Sequence, residues 1–156
     1  MNRLSCAFLS LALPAGALFG AEPGAPPVSK IFDQQLTMVE REIVPLAEAM
    51  PADKYGFAPT NGEFKDVRTF GQQVSHVAAV IYAASASVLV EKNPSETGKD
   101  ENGPASLKTK DDIVKYLKDA LAYGHRAMAA LTDQNLTAMV PSAPPLRAIM
   151  RATCFF

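Results

Sequence analysis

Two stretches of the chain repeat one spacing of apolar residues and a third gathers them on one face, and that patterning limits the fold more than any other feature. In the first, Phe32, Leu36, Val39, Ile43, Leu46 and Met50 step by 4, 3, 4, 3 and 4 residues. In the second, Phe70, Val74, Val77, Ile81, Ala84 and Val88 do the same. In the third, Ile113, Leu117, Ala120, Leu121, Met128 and Leu131 mark one inner face. An α-helix turns once in 3.6 residues, so side chains at these steps line up along one side of it. A half-buried strand needs apolar residues at a period of two, and no stretch of useful length has that pattern. Three helices of roughly 20 residues with short-to-medium loops predict an all-α chain folded as an up-down antiparallel helical bundle.

Local signals mark where the helices begin and end. Ser29 is a candidate N-cap for the first helix, Pro45 should bend or locally break its last turns, and Pro51 stops it. Residues 51–68 form a connection in which Tyr55, Phe57 and Phe64 are expected to anchor over one end of the bundle. The second helix begins near Thr69 and is dense in Ala and Ser from 78 to 87, which permits close helix approach. Residues 91–108 carry two Pro, two Gly and many charges, and read as an exposed, mobile connection. Thr109 can cap the third helix, with Asp112 in the capping-box position. A short segment runs from Thr132 through Val140. Beyond it, Leu146 to Phe156 reads as a helical stub with Leu146, Ile149, Met150 and Thr153 on one side.

The first 21 residues read as an address. Arg3 supplies a positive start, Leu4 to Leu13 an apolar run, and Pro14 and Gly16 a break before the small residues Gly20 and Ala21. This is the layout of a secretory signal peptide, cut after Gly20 or Ala21, and it places the protein in the periplasm or outside the cell. The other reading, an uncleaved anchor, meets a run shorter than the ~20 residues a membrane span needs. No later stretch is long enough to cross a membrane. The organisation is therefore a signal peptide at 1–21, a Pro-rich linker at 22–28, and one helical domain at 29–156. Cys6 leaves with the leader, so Cys154 stands alone and no internal disulfide is expected. The fold must rest on apolar burial, for which 48% apolar residues are ample. With 15 basic and 16 acidic side chains, the chain lacks the basic excess that nucleic acid or an anionic membrane surface requires.

One string of residues resembles a known family. Met50-Pro51-Ala52-Asp53-Lys54-Tyr55-Gly56-Phe57-Ala58-Pro59-Thr60 is followed by Arg68-Thr69-Phe70-Gly71 and Gln73-Val74-Ser75-His76-Val77-Ala78. Together with Leu131 to Leu136, these are similar to the DinB superfamily over about residues 29–140. The resemblance implies a four-helix bundle holding a divalent metal, often zinc or nickel, with three His. One comes from the second helix and two from an HxxxH on the fourth. Relatives include transferases and isomerases that use bacillithiol, mycothiol or glutathione. By position His76 matches the second-helix metal ligand. The chain departs from the pattern after Val140, where it reads PSAPPLRAIMRATCFF with no HxxxH and no His beyond His125. The fourth helix is expected to be short or missing, through either a frameshift in the gene or genuine divergence.

A lone imidazole does not hold a divalent ion tightly in water, so tight metal binding is not expected here. Read from residues alone, His76 is a boundary histidine beside an apolar stripe, and His125 a partly exposed one beside Arg126. Asp100-Glu101 and Asp111-Asp112 read as solvated or capping charges. No Ser/His/Asp or Cys/His arrangement, phosphate-cradling Gly loop or zinc-finger spacing occurs. Three readings stay open: an exported protein derived from a metal-dependent thiol-transferase scaffold with an incomplete metal site, a non-catalytic helical module that binds a partner or forms a homodimer, and a gene fragment.

Overall fold

The expected stripes become three α-helices. In this computed structural model residues 24–59, 64, 67–141 and 148–150 are described. Helix α1 spans Val28–Ala49, α2 Phe70–Leu89 and α3 Lys110–Ala129. Helices α2 and α3 each start with a full capping box: Thr69 and Gln72 exchange side-chain and backbone bonds, and so do Thr109 and Asp112. Each box satisfies two amide donors that a helix start otherwise leaves open. The bonds from Thr109 hold the Asp112 carboxyl below its ordinary range. Helix α1 starts without such help. Its N-cap is Pro27, no side chain caps it, and its first turn has no acid; Ser29 lies inside the helix rather than at its cap. Pro45 does not break α1, which continues to Ala49 and ends at the extended Met50 before Pro51.

Helix α3 is the centre of the molecule. It packs against both α2 and α1, while α1 and α2 have few direct contacts with each other. Leu117, Ala120 and Leu121 are fully buried, Met128 and Leu131 nearly so, and Val74, Ile81 and Val88 of α2 close over them. Full burial of side chains this size stabilises by about 1.5–3 kcal/mol each. At Gly124 the three helices come closest: a Cβ there would stand 2.9 Å from Leu36 of α1 and 3.3 Å from Ile81 of α2. The third stripe was read correctly. The first was read about half right, since Leu36 is buried with Phe32 and Ile43 beside it, but Val39 and Leu46 are exposed and Ala47 takes the inner position.

The bundle is helical as expected, but one direction differs from a simple up-down order. Helix α1 runs against α3: its Glu48 meets Lys110 and Lys118 near the start of α3, and its Asp33 meets His125 near the end. Helices α2 and α3 run the same way. Gly71 faces Ile113 at their starts, Tyr82 stacks between Tyr116 and Tyr123 at mid-length, and Glu91 pairs with Arg126 at their ends. The connection 90–109 must therefore travel back along the whole bundle. It does so pinned rather than loose, with Ser95 bonded to Tyr116 and Gly103 buried against that ring.

The connection after α1 packs one aromatic, not three. Tyr55 is buried, its hydroxyl donates to the Ala47 carbonyl at 2.6 Å, and Phe70 meets its ring edge-on. Phe57 and Phe64 are both 59% exposed. Backbone bonds from Phe70 to Phe57 and from Gly71 to Tyr55 fasten this loop to the start of α2.

Among the described residues there is no fourth α-helix. Residues Met139–Pro141 form strand β1 and Ala148–Met150 form β2, paired antiparallel with Val140 opposite Ile149. The helical stub read at 146–156 is thus corrected at 148–150, where the backbone is extended. Val140 is almost wholly buried and β1 lies against α2. The leader at 1–21, Cys6, Leu146, Thr153 and Cys154 lie outside the described residues. No helix among the described residues is long and apolar enough to cross a membrane.

Candidate functional site

Because α1 and α2 both lean on α3 and not on each other, a groove of about 540 Å³ opens between them. Phe32, Leu36 and Val39 form the α1 wall, Val77 and Val80 the α2 wall, and Met128 of α3 the floor. Val39 and Val80 are 49% and 43% exposed, although Val39 belongs to the apolar stripe of α1. The polar groups in the lining are Gln35, Gln73 and His76. A concave apolar surface with a few converging polar groups is the usual form of a binding site.

His76 is set by a loop held in strained geometry. Its Nδ1 donates to the Glu101 carbonyl at 3.0 Å, and the Glu101 carboxylate stands 3.8 Å away. Since a carbonyl can only accept, the proton of the neutral ring sits on Nδ1, and Nε2 keeps its lone pair. The side chain is 20% exposed. Around Glu101 the backbone is unusual: Gly98, Asp100, Glu101 and Gly103 all have positive φ. Gly98 is indispensable there, because a Cβ on it would fall 1.8 Å from the Gly103 carbonyl oxygen. Such backbone costs of order 1–3 kcal/mol per residue and persists only where its surroundings enforce it. Arg68 does the enforcing. Its Nε donates to Asn102 Oδ1 and its Nη2 to the Asp100 carbonyl, both at 2.8 Å.

This arrangement can do two things chemically. Nε2 can accept a proton or hydrogen bond from something in the groove. It can also donate to a metal, since a ligating His characteristically gives its other N–H to a carbonyl or carboxylate. It does not make a complete metal site: among the described residues no three His, Cys, Asp or Glu side chains stand together so as to hold an ion. The donors among the described residues do not fit the three-donor centre that the resemblance implies.

His125 belongs elsewhere. Both of its ring nitrogens are occupied, Nδ1 with Asp33 at 2.6 Å and Nε2 with Glu40 at 3.0 Å, so it is not a second donor for His76. Arg126, its neighbour, lies over the Tyr123 ring and pairs with Glu91. Four contributors to these sites were not anticipated from the sequence. Arg68 stood in the quoted motif without a role, Glu101 was read as a solvated charge, and Asp33 and Glu40 were given no role. For Asp33 and Glu40 a signal was present: acids seven residues apart share one face of a helix.

The motif residues now have physical roles. Tyr55, Phe70 and Gly71 lock the first loop to α2, Arg68 holds the strained loop, and His76 receives that loop's carbonyl. A comparison with protein-family patterns matches residues 35–154 to the DinB superfamily. No curated protein and no solved structure matches the chain. With the family pattern covering most of the chain, including the motif, the helices and the segment beyond Val140, the protein belongs to the DinB superfamily.

Proposed function

We propose that this is an exported DinB-type binding protein, built on a scaffold of metal-dependent thiol transferases but with an incomplete metal site. Its α1/α2 groove takes a ligand with an apolar body, and His76 is the polar contact. The observation that carries this reading is the Nδ1 bond to Glu101, which leaves the other ring nitrogen available beside an apolar trough. The positively charged, then apolar, then small-residue pattern of residues 1–21 supports export.

Metal analysis and titration test it. Purified protein should keep less than about 0.1 equivalent of zinc or nickel after mild dialysis, since one imidazole gives no chelate. Any weak binding that remains should vanish in His76→Ala. Retention of near one equivalent would replace this reading with that of an intact metal centre. For export, the mass of the mature protein should fall short of the full chain by about 20 residues.

A second reading, a homodimer closed through the exposed side of α1, is favoured by Met38, Val39 and Leu46, which α1 leaves 68%, 49% and 57% exposed. Light scattering over a concentration series distinguishes the two. A dimer that Val39→Glu dissolves supports the second, and a monomer throughout removes it.

A further inference from the structure

The contact between His125 and α1 carries more than a packing role. A carboxylate can only accept hydrogen bonds, and a neutral imidazole has a single N–H. Two carboxylates, one at each ring nitrogen, at 2.6 and 3.0 Å, are therefore both satisfied only by the doubly protonated ring. On losing one proton, the ring would turn a lone pair toward one of them.

We propose that Asp33, His125 and Glu40 form a pH-sensitive latch that holds the N-terminal half of α1, and with it one wall of the groove, against α3. The two halves of α1 are tied by different chemistry. The C-terminal half is held by lysine and tyrosine donors and not by an imidazole. Lys110 donates to the Glu48 and Met50 carbonyls, Lys118 pairs with the Glu48 carboxylate, and Tyr55 donates to Ala47. The N-terminal half lacks a side-chain cap, and its ionic tie to α3 is His125. Phe32 and Leu36 of the groove's α1 wall lie on that half and Val39 just past its end, interleaved with Asp33 and Glu40.

Other charges do not confuse the assignment. On α1 the neighbours Lys30, Arg41 and Glu42 are exposed. On α3, Arg126 is drawn to Glu91, Lys118 to Glu48 and Asp119 to Lys115. The titratable residues of α2 are His76, engaged by Glu101, and Tyr82, stacked on Tyr116 and Tyr123; β1 has none. Partial burial lowers the basicity of His125, but the bonds to Asp33 and Glu40, and their charges, outweigh it and place its pKa above the ordinary 6.5. A raised pKa in the folded state means a contribution fully present below the unfolded value and lost as pH rises through the folded one. The latch is closed in mild acid and opens toward alkaline pH.

Two measurements on the full protein test this together: an NMR titration of the His125 ring, and amide hydrogen exchange at about pH 6 and pH 8.5, corrected for intrinsic rates, in wild type and His125→Gln. Protection over residues 29–40 should fall about tenfold for each unit by which the measured pKa exceeds the ordinary value. Protection over 43–49 should hold. His125→Gln should show the weaker protection at both pH values. A His125 pKa at or below 6.5, or the same pH response in both proteins, overturns the latch. If His125→Gln does not fold, Glu40→Gln decides: with one of the two negative charges lost, the midpoint must move to lower pH, and an unmoved midpoint overturns the proposal.

Discussion

Helix α1 has two neighbours and treats them differently. Toward α3 it is closed, with Leu36 at the Gly124 approach, His125 between two carboxylates and Lys110 on two carbonyls. Toward α2 it stands open across a groove, presenting Val39 to solvent. The same helix thus has one side specified by burial and ion pairing, and another whose apolar residues have no helix over them among the described residues. Apolar periodicity marks both sides alike and cannot tell which is covered. What separates them is the partner, and the partner comes from far along the chain.

The sharpest way to break this contrast is to cut each side with the same kind of substitution. Leu36→Ala, on the closed side, should cost about 2–5 kcal/mol by transfer and cavity terms. Val39→Ala, on the open side, should stay within about 0.5 kcal/mol in the same urea melts. Equal costs would mean that the groove is filled in solution. Gly98→Ala comes next, with an expected loss of about 2–3 kcal/mol from strained backbone. Because its loop carries Glu101, the His76 ring resonances should shift while those of His125 stay, which separates the two histidine environments.

Smaller still is the ionic tie. His125→Gln should destabilise by about 1 kcal/mol near pH 6, a modest figure because Asp33 and Glu40 are 45% and 39% exposed to screening solvent. The difference should vanish above the raised pKa, where wild type has lost the same contribution. A difference constant with pH would assign the residue a packing role instead. The smallest effect has the opposite sign. Ser85 is fully buried and its hydroxyl has no hydrogen-bond partner, so Ser85→Ala should gain up to about 1 kcal/mol. A loss there would reveal a bound water or ligand between α2 and α3.

The sequence was clearest where structure is local. The capping box at Thr109 and Asp112 and the inner face at Leu117, Ala120, Leu121 and Met128 follow from spacing alone, because both depend on residues within a few turns of each other. Val39 and Leu46 were placed inside by the same rule and lie outside, since the rule assumes a helix on every apolar side. The parallel course of α2 and α3 was hidden, because it depends on how residues 90–109 return, and their fastenings reach Arg68 and Tyr116, up to 34 residues away. His76 stands in the motif, and the structure places it in the groove lining. The partners of His125 lie 85 and 92 residues from it, beyond any local pattern. The extended backbone at 148–150 was missed because Ile149 and Met150 also suit one side of a short helix.

The central position of α3 bears on how the chain acquires its shape. Neighbours in sequence, α1 and α2 form no hairpin that could collapse first, since each lays its apolar face on a helix made later. A ribosome that has released everything up to residue 109 has delivered two amphipathic segments and no surface for either. Packing of those faces must await the last third of the polypeptide, and it is slower than zipping successive hairpins because its pairings span long stretches of chain. Until then those apolar faces are exposed to whatever escorts the growing protein.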